Sequence, residues 1–115
     1  MDQIDSYTVD IYVGLKEHYD GRQDSIEALL AFIQPICDEG LCVSIFPCHY
    51  IYKNGNEQGA MIRLINYPRF PSTPSAILAK AIDIATKLKR HFQQYRITVQ
   101  DHSKAYLIED KTEGN

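Results

Sequence analysis

Apolar and polar residues alternate along the first structured stretch of the chain. Tyr7, Val9, Ile11, Val13 and Leu15 take every second position, with Thr8, Asp10, Tyr12 and Gly14 between them. A period of two sends the two sets to opposite faces of an extended strand, so this stretch predicts a strand with one buried side. Residues 16–23 (KEHYDGRQ) are polar and contain Asp20-Gly21, which predicts a loop. The period then lengthens. Ile26, Leu29, Leu30, Ile33, Ile36 and Cys37 recur at helical spacing. Asp24 is expected to cap this helix, with Glu27 three residues on in capping-box spacing. Pro35 is expected to kink or end it, because proline has no N–H for the carbonyl four residues back. Gly40 is the expected stop.

Alternation returns over residues 41–52, with Leu41, Val43 and Ile45 on one face and Cys42, Ser44, Phe46, Cys48, Tyr50 and Tyr52 on the other. Pro47 cannot donate to a ladder, which places this strand at a sheet edge or bulge. Asn54-Gly55 is a strong hairpin signal. Residues 58–67 return as a third strand, with Ala60, Ile62 and Leu64 opposite in face to Met61, Arg63 and Ile65. Pro68, Pro71 and Pro74 stiffen the following loop. Thr73 is positioned to cap a second helix, with Pro74 at its first turn. Leu78, Ala81, Ile82, Ala85, Leu88 and Phe92 form its apolar stripe, and Lys87, Lys89, Arg90 and His91 gather where the helix dipole favours cations. Tyr95, Ile97 and Val99 predict a fourth strand and residues 105–108 a short fifth. Residues 111–115 read as a frayed tail.

Strand, helix, strand, strand, helix, strand is the split βαβ order. The fold class expected is therefore α+β: a ferredoxin-like βαββαβ sandwich, an antiparallel sheet with two helices on one face and a short extra C-terminal strand. One domain spans residues 1–115, with its core over about residues 6–109. Strands one and three should be central and strand two an edge. The sheet face away from the helices would then carry Tyr12, Cys42, Phe46, Met61 and Ile65. That is too apolar to stand bare on a monomer. Tyr12, Phe46, Met61 and Ile65 are accordingly the expected interface of a homo-oligomer, a dimer or trimer.

Charge narrows the function classes. Twelve Lys and Arg against fifteen Asp and Glu leave a net charge of −3, which argues against general nucleic-acid binding. No apolar run approaches a membrane span, and the polar start carries no signal peptide. Cys37, Cys42 and Cys48 are odd in number and form no CxxC pair, which argues for free thiols and a cytoplasmic location rather than a disulfide frame or zinc site.

Three short segments carry a resemblance: Tyr12-Val13-Gly14-Leu15-Lys16, Ile51-Tyr52-Lys53-Asn54-Gly55 and Gln94-Tyr95-Arg96-Ile97-Thr98-Val99. Through them the chain resembles small uncharacterised phage and mobile-element proteins related to the PII/CutA-like, ferredoxin-like families. The resemblance implies an oligomer whose hairpin after strand two contacts partners or ligands. The hairpin has no recognisable PII signature and no nucleotide-binding glycine run, so no ligand or binding residue carries over.

Candidate chemistry is sparse. Cys48 and His49 are adjacent in a strand and should diverge, so no nucleophile–base pair forms. His18, His49, His91 and His102 show no metal-ligand spacing. Eight tyrosines could stack bases on a ferredoxin-like sheet, but the third strand reads QGAMIRLINY and lacks the pattern that RNA-recognition domains carry. No catalytic residue, metal or cofactor is expected. The candidate binding residues are Arg22, which a helix N-terminus could help meet an anion, and Tyr50, Tyr52, Lys53, Asn56 and Glu57 of the hairpin. The leading expectation is a non-enzymatic accessory or regulatory protein of phage origin. It would bind a host protein or a small anionic ligand through that hairpin. The alternative is a small ligand-binding module or enzyme with a site between subunits.

Overall fold

The computed structural model describes residues 1–110. The expected tail at residues 111–115 lies outside them. The elements run β1 (Thr8–Gly14), α1 (Ile26–Cys37), β2 (Ser44–Tyr52), β3 (Gly55–Ile65), α2 (Pro74–His91), β4 (Arg96–Gln100) and β5 (Ala105–Glu109). They form one antiparallel sheet in the order β2-β3-β1-β4-β5. This is the expected α+β sandwich, with β1 and β3 inside, β2 at the edge where Pro47 is tolerated, and β5 extending the far side.

The alternation read from the sequence sets the layers. Val9, Ile11 and Val13 of β1, Ala60, Ile62 and Leu64 of β3, and Ile97 and Val99 of β4 are all buried. Against them α2 packs Ile77, Ala81, Ile84, Ala85 and Leu88, and α1 packs Leu29 and Ile33. Leu30, assigned to the apolar stripe, is instead exposed. A helix over the sheet needs only a narrow stripe, and Leu29 and Ile33 supply it here.

Two local expectations are corrected. Asp24 does not cap α1. Ser25 does, accepting from the Ala28 amide, and Asp24 is turned inward and buried. The strand expected over residues 41–52 begins only at Ser44, because Gly40, at φ 112°, and Leu41 close the end of α1 by hydrogen bonding to Cys37. Cys42 therefore lies off the open sheet face, its Sγ 3.3 Å from the Tyr67 hydroxyl. Pro35 is carried within the last turn of α1, which ends two residues later as its missing donor requires.

The β2–β3 hairpin runs past the end of β1. Its ladder continues to Tyr52 opposite Gly55, whereas β1 leaves β3 at Gly14 opposite Gly59. Lys53 and Asn54 make the two-residue turn, with Asn54 at φ 62°. The overhang leaves the hairpin without a neighbour strand beside residues 55–58, and the loop after β1 fills that space.

Candidate functional site

The open sheet face is not uniform. Near the hairpin it holds a cavity of about 500 Å³. Gly14 lines it, and Gly59 stands opposite Gly14 in the β1–β3 ladder, covered by the Tyr50 ring. A side chain on Gly14 would intrude on the cavity. A Cβ on Gly14 would lie 2.7 Å from Glu57 Oε2 and 2.9 Å from Gln94 Oε1. A Cβ on Gly59 would meet the Tyr50 ring and, at 2.5 Å, the Val13 carbonyl oxygen. The missing side chains let a carboxylate, an amide and a tyrosine ring fold down onto the backbone. Glycine inside a strand often marks such close approach.

Each wall is held by its own element. Tyr50 stands opposite Glu57 in the β2–β3 ladder and donates its hydroxyl to the Ala60 carbonyl at 2.6 Å. Burial is the main reason its phenol is pushed up, far from ionising. Gln94, buried at the end of α2, donates its amide to the Lys16 and Phe92 carbonyls at 2.9 and 3.1 Å. Those two acceptors fix which end of the amide faces them, so Oε1 is the atom turned to Gly14. Glu57 Oε2 and Gln94 Oε1 thus converge on one point above the glycine, and both are acceptors. That point suits a cationic or hydrogen-bond-donating group. Tyr12, Tyr52 and Tyr95 add aromatic surface to the lining, and Lys16, His18 and Arg96 add polar groups. His18 stands between Tyr19 and Tyr95, with ring centroids 4.8 and 5.0 Å away. Tyr19 and Lys89 both hydrogen-bond Asp110, which ties the loop after β1 to the end of β5.

In the same wall, where Glu17 lines the cavity, lies a second arrangement of carboxyls. Glu17 and Asp24 are both buried, and one guanidinium, Arg22, reaches both, at 3.4 and 3.3 Å. Contact with Asp24, burial and the neighbouring negative charges push the Glu17 carboxyl up to about 7.

Of the candidates read from the sequence, the structure brings Tyr50, Tyr52 and Glu57 together in the cavity. Arg22 stands behind it, neutralising carboxyls. Lys53 sits in the turn, and Asn56, paired with Ile51, points to the helix side of the ribbon; neither lines the cavity. Tyr12 lines it as well as lying on the expected oligomer face, where Phe46 and Met61 are cross-strand partners and Ile65 lies farther along β3. Gly14, Gly59, Gln94 and the Glu17–Asp24 pair were missed. The strand-interior glycines were the available signal. Gln94 and the carboxyl pair had none, since both depend on distant segments meeting. Among the described residues no group of three His, Cys, Asp or Glu side chains could hold a metal ion, no disulfide forms, and no helix is long and apolar enough to cross a membrane.

No family model matches the chain, and no curated protein matches it. Two solved structures do. One is a phage SAM lyase in complex with S-methyl-5′-thioadenosine, 16% identical, covering 96% of this chain and 95% of its own, with a TM-score of 0.66. The other is a phage SAM lyase in the apo state, also 16% identical, covering 97% of each chain, with a TM-score of 0.70. The expectation of a non-enzymatic accessory protein is thereby corrected. Both proteins of matching shape are enzymes, and the alternative of a small enzyme fits them better. This chain shares over nearly its whole length the fold of the phage SAM lyases.

Proposed function

We propose that this chain is a phage-encoded lyase that cleaves a carbon–sulfur bond of S-adenosylmethionine and releases S-methyl-5′-thioadenosine. The observation that carries the reading is the convergence of Glu57 Oε2 and Gln94 Oε1 above Gly14 in a tyrosine-lined cavity. The fold shared with two SAM lyases supports it. S-adenosylmethionine carries a sulfonium and an ammonium. A carboxylate and aromatic faces are the groups that receive such cations in a partly dry site.

The chemistry asks little of the protein. When the bond breaks, its electron pair stays on sulfur, which becomes a neutral thioether and needs no proton to leave. The four-carbon fragment completes its valence from within itself, by ring closure or by loss of a proton, as a lyase reaction requires. Orientation of the substrate and exclusion of water are then the main contributions. Tyr50, locked by its bond to Ala60, and Gln94, locked by two carbonyls, provide fixed surfaces for both.

The cavity opens on the sheet face that also carries Phe46, Met61 and Ile65. A second copy packed there would close it and place the site between subunits. Phe46 is 44% exposed in the isolated chain, with the Arg63 guanidinium 5.7 Å from its ring centre. Light scattering is expected to show a dimer or trimer. Met61→Asp is expected to give monomers, because it sets an unpaired charge in the contact. A wild-type protein that is monomeric at micromolar concentration would remove the intersubunit site.

The activity itself is tested by incubating the purified protein with S-adenosylmethionine and separating the products. Release of S-methyl-5′-thioadenosine in proportion to substrate lost is the expected result. No release, together with no thermal shift on adding S-methyl-5′-thioadenosine, would overturn the reading.

A further inference from the structure

We propose that Glu17 and Asp24 share a single proton, and that this proton positions the loop forming one wall of the cavity. The proposal rests on geometry within the loop between β1 and α1. Glu17 and Asp24 are 5% and 7% exposed, so neither is bathed in water. Among the described residues Arg22 is the one cation that reaches them. Its guanidinium meets Glu17 Oε2 and Asp24 Oδ1, and its own side chain is 72% exposed. Asp24 Oδ2 has no hydrogen-bond partner among the described residues although it is fully buried. A buried carboxylate oxygen without a donor is costly, and native structures rarely leave one. A proton on Glu17 supplies that donor. It also removes one of two negative charges that would otherwise face each other across a half-solvated arginine. The upward displacement of the Glu17 carboxyl agrees with this arrangement.

The pair is tied to the site through the backbone. Glu17 N–H donates to the Arg22 carbonyl and Asp24 N–H to the Leu15 carbonyl, both at 2.7 Å, so the loop closes on itself. Leu15 N–H reaches the Gln58 carbonyl of the hairpin, and His18 N–H reaches the Gln93 carbonyl after α2. Lys16, whose carbonyl accepts from Gln94, and His18 both line the cavity. Loosening the pair therefore moves the wall and the amide that faces Gly14. The charges acting on Glu17 are Asp24 and Asp20, which favour its protonated form, and Arg22, which opposes it. Lys16, His18, Glu57 and Arg96 line the same cavity, and the turn after α2 presents the Gln94 amide. The sign follows. A carboxyl with a raised value in the folded state is fully stabilised below its ordinary range, and loses that advantage as pH rises through the folded value.

This deepens the proposed function, and the test separates the two. In the ligand-free protein, carboxyl-carbon NMR between about pH 5 and 9 should show one acid of the pair titrating near neutrality. Amide protection at residues 16–24, the exchange rate taken relative to the intrinsic rate at each pH, should fall over the same range. In Glu17→Gln the amide group donates permanently, so protection there should become independent of pH. Binding of S-methyl-5′-thioadenosine, used as the probe, should weaken by up to about tenfold per pH unit above the titration in wild type. In Glu17→Gln it should stay constant. Ordinary titration of both carboxyls, or unchanged pH dependence of loop protection in Glu17→Gln, would overturn the proposal. The NMR and exchange results decide the matter even if the probe does not bind, an outcome that would count against the lyase reading alone.

Discussion

Glu57→Gln is expected to cut turnover of S-adenosylmethionine by about 10- to 100-fold, the cost of losing a charge-assisted contact worth roughly 1.5–3 kcal/mol. The substitution keeps the shape and the acceptor oxygen and removes only the charge. Its effect should therefore depend on the charge of the ligand. S-methyl-5′-thioadenosine is uncharged at sulfur and has no amino-acid tail, so its affinity should change by less than about threefold. Folding should be unaffected, because Glu57 lies on the overhanging part of the hairpin, beyond the last β1–β3 pair, and surface changes of this kind usually fall within about 0.5 kcal/mol. Steady-state kinetics and calorimetric titration check the two halves separately. Equal losses for the charged substrate and the neutral product would show that Glu57 shapes the cavity rather than meeting a cation.

The largest effect on stability is expected at Gly59, across the ladder from Gly14. Gly59→Ala puts a methyl group 2.5 Å from the Val13 carbonyl oxygen, within the backbone of the neighbouring strand. That atom cannot swing aside without parting the ladder, and the Tyr50 ring on the other side is pinned by its hydroxyl. Overpacking of this kind costs about 1–3 kcal/mol and sometimes more. Gly14→Ala provides the contrast. Its methyl meets side-chain oxygens of Glu57 and Gln94, not backbone. The Glu57 carboxylate can turn away, so stability should fall by less than in Gly59→Ala while ligand binding is lost. Thermal unfolding and titration with S-methyl-5′-thioadenosine should rank the two variants in opposite orders. The same ranking in both assays would mean that Gly14 is only a packing position.

Much of the fold was legible because it rests on periodicity. The alternation through Val9, Ile11 and Val13, matched by Ala60, Ile62 and Leu64, specified which face of each strand meets the helices. A strand slipped by one residue would turn that whole set to water, so the pattern leaves little choice. Thr73 before Pro74 located the start of α2 by a local hydrogen bond, which needs only neighbouring residues. Where two local solutions competed, the reading failed. Aspartate and serine are both good caps, and here Asp24 is buried beside Glu17 while Ser25 caps the helix.

The candidate site was half legible for the same reason. Tyr50, Tyr52 and Glu57 were within reach of a sequence reading, because they are close in the chain and alternate on one hairpin. Their partners were not. Gln94 enters from the end of α2, 37 positions after Glu57, and Glu17 comes from the loop after β1. The sequence by itself determined the secondary elements, the buried face of each strand and the absence of a catalytic signature in any contiguous segment. The tertiary structure alone decided that Gly14 and Gly59 stand opposite one another, and that a carboxylate, an amide and several tyrosines converge on the hollow beside Gly14. The physical reason is the range of the forces. Periodicity and capping act over a few residues and are written locally, whereas a cavity exists only where strand register brings distant backbone positions without side chains into line.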